Sequence, residues 1–315
     1  MIPVAKKDLN YLHFCTENII KYIKPDKIVV VANIETKDFV EKIGNLEFCD
    51  EDTLLEGLTL ARIKELIGSM LGTTERGGWF FQQFLKLAYA YKSQHKHYLI
   101  WDSDNIPLNN IVFWNNEGKC LFNVIPGYYN VPEYEIINKL FCGTVKRPTE
   151  KSFIAEHMMI DRDCMLDMLA KIENNKNLSG TNFYEKIVSA MDKNNTSFSE
   201  FEVYGSYAMT YYPDLYSIRK PKLRHLREGA MVVEKGVLDY KTLEWLSKNY
   251  DSVTFEYHHY GEAPKLLRPV FKFAARYRII PFRLCLYCFW AFRLRSDLLN
   301  IILKRLTVAL WFWKR

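Results

Sequence analysis

Asp102 and Asp104 close the apolar run His97-Tyr98-Leu99-Ile100-Trp101, with a single residue between them. Carboxylates at that spacing can grip one hard cation. In extended geometry both project from the same side of the chain, and a bend after Asp102 sets them at different distances. Magnesium and manganese take such oxygen ligands and leave positions open for substrate phosphates, so a cation here could neutralise a departing diphosphate. Surface turns are also rich in Asp pairs, and spacing alone does not separate the two. A second acidic pair, Glu200 and Glu202, follows Ser199. One of these carboxylates could take the proton of a hydroxyl nucleophile. Acids in the first turn of a helix capped by Ser199 account for the same pair. A helix turns the two apart, so only one can aim at an acceptor, and Glu200 is preferred. In Glu156-His157 strand geometry sends neighbours to opposite faces, which leaves His157 as the expected substrate contact unless it is a satisfied core histidine.

The elements that must hold these residues alternate. A helix with Leu12, Ile19, Ile20 and Ile23 on one face precedes Lys27 to Asn33, whose β-branched core reads as a buried parallel strand. A helix is expected over 53–67, and another beginning near Trp79 after the Gly72 to Gly78 break. The strand ending at Asp102 comes next. Ligands of open α/β sheets gather at the carboxyl ends of strands, so Asp102 and Asp104 stand where chemistry is expected. Further strands are predicted over 120–125 and 153–160, and helices over 162–173, 183–192 and 199–211, the last closed by Pro213.

The formal charge of +6 is unevenly spread. Residues 265–315 hold twelve Lys or Arg against one acid, Asp297, and the remainder of the chain is net −5. An acidic body with a basic end argues against a general nucleic-acid binder and for attachment to an anionic surface. Seven scattered cysteines, with no secretory signal at the N-terminus, predict a reducing cytosol. Cys285 and Cys288 have apolar neighbours and no second pair, so no zinc site is expected there.

Tyr98 to Pro107 resembles the DxD strand of GT-A glycosyltransferases. Upstream, Gly78-Trp79-Phe80-Phe81-Gln82-Gln83-Phe84-Leu85-Lys86 resembles the GW-x-x-QQ-x-x-K helix of a family of bacterial enzymes of polysaccharide synthesis. Downstream, Glu156 to Met159 and Ser199-Glu200-Phe201-Glu202-Val203-Tyr204-Gly205 look like the later motifs of that family. The resemblance covers residues 5–230. It implies an α/β, GT-A fold, Rossmann-like with a mostly parallel central sheet, and a nucleotide-sugar donor, UDP-linked by preference, with Mn²⁺ or Mg²⁺. It further implies that Lys86 reaches a donor phosphate, that Gln82, Gln83 and Asp102 contact the donor, and that Trp79 lines the sugar site or staples its helix to the core. His157 and Tyr204 would meet acceptor or sugar, and Glu200, or else Glu202, would act as base in an inverting transfer. Asp104 and Asp102 would bind the metal, with His225, or else His258 or His259, the candidate third ligand.

A catalytic domain over 1–262 and a basic, aromatic helical tail over 263–315 follow from the composition. The longest apolar run of the tail, Leu284 to Phe292, has nine residues, against about twenty for a membrane span. The tail is therefore expected to lie on an anionic membrane, at the cytoplasmic face of a bacterial cell, near a saccharide or lipid-linked acceptor. Packing of the tail on protein is the competing reading. Rival readings of the whole chain are a nucleotidyltransferase, which would want a Gly-rich basic loop after Val31, and a peripheral scaffold without nucleotide binding.

Overall fold

A computed structural model describes residues 1–125, 131–227, 229–232, 238–256 and 277, in two compact units, Met1–Leu223 and Arg224–Arg315. The first unit runs β1 (Ile2–Val4), α1 (Leu9–Tyr22), β2 (Val29–Ala32), α2 (Lys37–Ile43), β3 (Glu47–Asp50), α3 (Leu60–Leu71), α4 (Gly77–Lys92), β4 (His97–Trp101), β5 (Asn105–Pro107), β6 (Cys120–Phe122), α5 (Val131–Leu140), β7 (His157–Asp161), α6 (Arg162–Glu173), α7 (Phe183–Ala190), α8 (Glu200–Tyr211) and β8 (Tyr216–Ile218). The second unit has β9 (His225–Leu226), α9 (Gly229–Val232), α10 (Tyr240–Ser247) and β10 (Ser252–Thr254), with β9 and β10 paired in parallel.

The fold is α/β around a mostly parallel sheet. β2 is four small or β-branched residues, all buried, the composition of a strand covered on both faces. It pairs in parallel with β1 on one side (Ile2 opposite Val30) and β3 on the other (Val29 opposite Glu47). Met1 carries the pairing onward: its ammonium donates to Leu99 O at 2.8 Å and its carbonyl accepts Trp101 N at 3.0 Å, which sets β4 parallel beside β1. β7 then adds antiparallel to β4, from His97 opposite Asp161 to Trp101 opposite His157. The chain reverses its direction of strand addition between β1 and β4, and crevices at such switch points are where α/β sheets bind ligands. Asp102 follows the last residue of β4.

Behind the sheet, α4 is buried along most of its length. Phe84 is fully buried against Phe183, Tyr184 and Phe198, and burying such a side chain stabilises by about 1.5–3 kcal/mol. α8 crosses close to the segment before β7, and Gly205 makes that approach possible. A Cβ there would stand 2.5 Å from Phe153 Cγ, and Phe153 is itself fully buried. Gly205→Ala is expected to cost about 1–3 kcal/mol by overpacking. Urea denaturation measures it, and an unchanged midpoint would show that the helix can slide away.

Several elements differ from the expected ones for local reasons. The helix expected over 53–67 starts only at Leu60. Asp50 accepts Asp52 N to cap a short 3₁₀ turn, Gly57 takes a φ of 79°, and Thr59 caps α3 by accepting Arg62 N. The strand expected over 153–160 begins at His157, because Phe153 N and Ser152 Oγ are both spent on the Glu202 carboxylate. α6 spans the predicted 162–173, with Asp161 accepting from Asp163 N and Cys164 N at its start. The domain boundary expected at 262 and the expected tail fall outside the described residues, apart from Tyr277. Among the described residues no helix is long and apolar enough to cross a membrane.

Candidate active site

Three separate stretches of chain meet at the carboxyl end of β4. Lys86, on the third turn of α4, places its ammonium 2.6 Å from Asp102 Oδ1 and 2.6 Å from Glu200 Oε1. The Lys86 and Glu200 side chains are 6% and 7% exposed and that of Asp102 is 25% exposed, so the cluster is sealed on the helix side and opens at Asp102. Gln83, one turn before Lys86, accepts Glu200 N through Oε1 at 3.1 Å, while its Nε2 is buried without a hydrogen-bond partner. Ser199 accepts Glu202 N at 3.4 Å and caps α8, which presents Glu200 in the first turn.

The electrostatics follow from burying one cation between two anions. Burial works against the charge of Lys86, but Asp102 and Glu200 outweigh it and hold its pKa above the ordinary lysine range. Burial pushes Asp102 up to about 6, opposed by Lys86 and reinforced by Glu200. With all three ionised the cluster carries one surplus negative charge in a place that water solvates poorly, a situation that favours a further cation or a proton.

Asp102 and Asp104 flank a turn rather than continuing the strand: Asn105 N donates to Asp102 O at 3.0 Å, and Asp102 N donates to Glu156 O at 3.0 Å. Both acids act on the same neighbour. The Cys15 thiol, buried and donating to Asn105 O at 3.3 Å, is raised first by burial and then by Asp104 and Asp102. Among the described residues no three His, Cys, Asp or Glu side chains gather as a shell that a cation would fill. A cation at Asp104 and the outer oxygen of Asp102 would therefore complete its coordination with substrate phosphates and water, as magnesium commonly does.

Several of the residues expected to meet substrate or metal make bonds within the protein. Tyr204 is a core residue: it is fully buried, and its hydroxyl accepts Asp161 N at 3.0 Å and bonds the Tyr216 hydroxyl. His157 is 3% exposed, stacks on Trp101 at 4.4 Å and takes Asn123 Nδ2 at Nε2, 2.8 Å away. Arg219 Nε donates to Asn123 Oδ1 at 2.6 Å, which turns that amide so that its NH₂ faces the imidazole. Both residues are buried and bonded within the core. Glu202 braces the site from the side, accepting from Ser152 Oγ at 2.6 Å and Phe153 N at 2.7 Å. Lys86 is committed to carboxylates, not open to a phosphate. Gln82 donates to Pro3 O at 3.4 Å. Trp79 is 44% exposed, with the Arg76 guanidinium 4.4 Å from its ring and the buried Phe80 ring 4.8 Å away. His225, in the second unit, has Nδ1 2.8 Å from Ser252 Oγ and Nε2 3.2 Å from Thr254 Oγ1; His258 and His259 lie outside the described residues. Asn105, to which sequence reasoning gave no role, is fully buried, and its carbonyl accepts Trp101 Nε1 at 2.6 Å. Its place directly after the acidic turn was the available signal.

The fold and the site thus define an α/β protein with an acid–lysine–acid cluster at a strand end. The chain belongs to the family described as "Family of unknown function (DUF6492)", whose model matches residues 6–252. No curated protein matches it. Among solved structures it is similar to mouse xyloside xylosyltransferase 1 in its apo form, at 10% identity and a TM-score of 0.45 over 82% of this chain and 97% of that one. It is similar also to the galactosyltransferase LgtC in complex with donor and acceptor sugar analogs, at 9% identity and a TM-score of 0.43 over 89% and 95%. A third is the bifunctional glycosyltransferase WbbM in its apo form, at 11% identity and 0.39 over 81% and 45%.

Proposed function

We propose that this chain is a metal-dependent glycosyltransferase of the GT-A kind, which moves a sugar from a nucleoside diphosphate, UDP by preference, to a saccharide or lipid-linked acceptor of the bacterial cell surface. The observation that carries the proposal is the convergence of Lys86, Asp102 and Glu200. Three motifs that resemble one enzyme family, the outer two 114 positions apart at the contacting residues, meet at a single buried cluster at the sheet's ligand-binding edge.

In this reading Asp104 and the outer oxygen of Asp102 would hold a Mn²⁺ or Mg²⁺ ion. The cation supplies neutralisation of the charge that develops on the leaving group. Lys86 is a positioning residue that fixes Asp102 and Glu200 relative to each other. The acceptor hydroxyl oxygen bonds to the anomeric carbon as the bond from that carbon to the diphosphate oxygen breaks. The bonding pair leaves with the nucleoside diphosphate, the hydroxyl proton passes to the Glu200 carboxylate, and configuration inverts. The basic tail holds the enzyme on the cytoplasmic face of the membrane.

Calorimetric titration of UDP, GDP and CDP tests the donor site. Binding of UDP that requires manganese and is lost in Asp104→Ala is expected, and a chain that binds none of the three nucleotides with metal present is not such an enzyme. Flotation with anionic vesicles tests the tail: retention of the full chain and release on deleting 265–315 are expected, and equal flotation of both would remove the tail's role.

A further inference from the structure

The strands of the first unit border a further concavity, whose lining includes His97, Leu99 and Trp101 of β4 but not Asp102. It encloses about 310 Å³, at the lower end of the ~300–1,000 Å³ typical of small-molecule sites. Its walls include Ile19 and Ile23 from the end of α1, Leu99 on β4, Trp114 and Met159. Around it stand Lys24, Lys27, His95 and His97, with Asp26 the one acid among the lining residues. Lys27 is engaged by Glu47 at 2.9 Å and His97 lies 3.4 Å from Asp161, but the first is an exposed pair of the sort that exchanges partners readily.

Two details mark this as more than a packing gap. Lys24 has a φ of 55°, the left-handed conformation with which helices commonly end at glycine; its N–H still donates to Ile19 O at 3.0 Å. A lysine therefore occupies a strained position where glycine would be easier, and its side chain lines the cavity. Trp114, finally, is 41% exposed while contributing to the wall, an apolar ring left open to an occupant.

We propose that this cavity is a binding site for a small amphiphilic anion, with an apolar body against Ile19, Leu99, Trp114 and Met159 and a phosphate or carboxylate head met by Lys24 and Lys27. The site is separate from the Asp102 cluster and does not depend on the reaction proposed there.

Decyl phosphate below its micellar concentration is the probe, titrated into the full chain carrying ¹³C-methyl methionine, with the Met159 signal assigned through Met159→Leu. This readout reports the cavity. A saturable shift of the Met159 methyl is expected. Lys24→Gly should weaken that binding at least tenfold while leaving the melting temperature unchanged or higher, because it removes the cation and the backbone strain together. Decanol and inorganic phosphate should each bind at least tenfold more weakly than decyl phosphate. Decanoate, run in parallel, tells a carboxylate head from a phosphate head by which binds more tightly. A Met159 signal that does not move, equal affinity in Lys24→Gly, or equal binding of decanol would each overturn the proposal.

Discussion

Lys86→Met is expected to destabilise the protein by about 3–5 kcal/mol, the usual cost of removing one partner from a buried ionic cluster. Methionine replaces the stem of the lysine closely, so the loss is electrostatic. It leaves Asp102 and Glu200 facing each other with no cation, where each had a contact of 2.6 Å. The pH dependence identifies the cause. Asp102 already has a folded-state pKa of about 6, above its unfolded value, through burial and the charge of Glu200, and loss of Lys86 removes the main opposing influence. A carboxyl whose folded pKa is raised costs stability as pH climbs past its unfolded value, and the cost is complete above the folded one. The deficit should therefore be largest at pH 8 and shrink toward pH 5 as the acids take up protons. Guanidinium denaturation of both proteins at the two pH values measures this, and a deficit below 1 kcal/mol at pH 8 would mean that the cluster is not sealed.

Glu200→Gln should lower kcat by about 10²–10⁴, the range for loss of a general base, with little change in the KM for the nucleotide-sugar. The side chain keeps its length and an oxygen for Lys86, and the bond from its main-chain N–H to Gln83 is untouched. One surplus negative charge leaves the cluster, so folding should suffer little. Glu202→Gln is the contrast. Glu202 holds Ser152 Oγ and Phe153 N, and its loss should appear as instability, not as slow chemistry. Release of UDP, followed with both variants at saturating donor, separates the two roles. Activity of Glu200→Gln within threefold of the parent would remove Glu200 from the proton transfer.

The sequence located the cluster but not its wiring. Asp102 could be placed because an apolar run ending in acids is a strand end whatever follows it, and Ser199 because a cap and its helix are local. α6 was legible for the same reason, since Asp161 caps it from the adjoining position. That Lys86 turns to Asp102 and Glu200 depends on how α4 lies across β4 and α8, and no periodicity records a packing angle. The same holds for Tyr204 and His157. Polar atoms on an aromatic residue read as binding groups until a partner such as Tyr216 or Asn123, far along the chain, is seen to satisfy them. The late start of β7 was hidden likewise, because it depends on Glu202 capturing Phe153 N from the neighbouring helix.

The seat of β1 in the middle of the sheet also bears on how the protein is made. One of its two neighbours is β4, and the bond from Met1 to Leu99 joins positions 98 apart. Ribosomes extend a chain at about 5–20 residues per second, so the first strand waits on the order of 5–20 s for that neighbour to be synthesised. Through that interval the nascent β1–β2–β3 unit presents an unpaired strand edge, the kind of surface that recruits stray chains. The step that relieves it is the emergence of β4, which brings Asp102 with it, so the strand that completes the sheet's interior also delivers the first acid of the site.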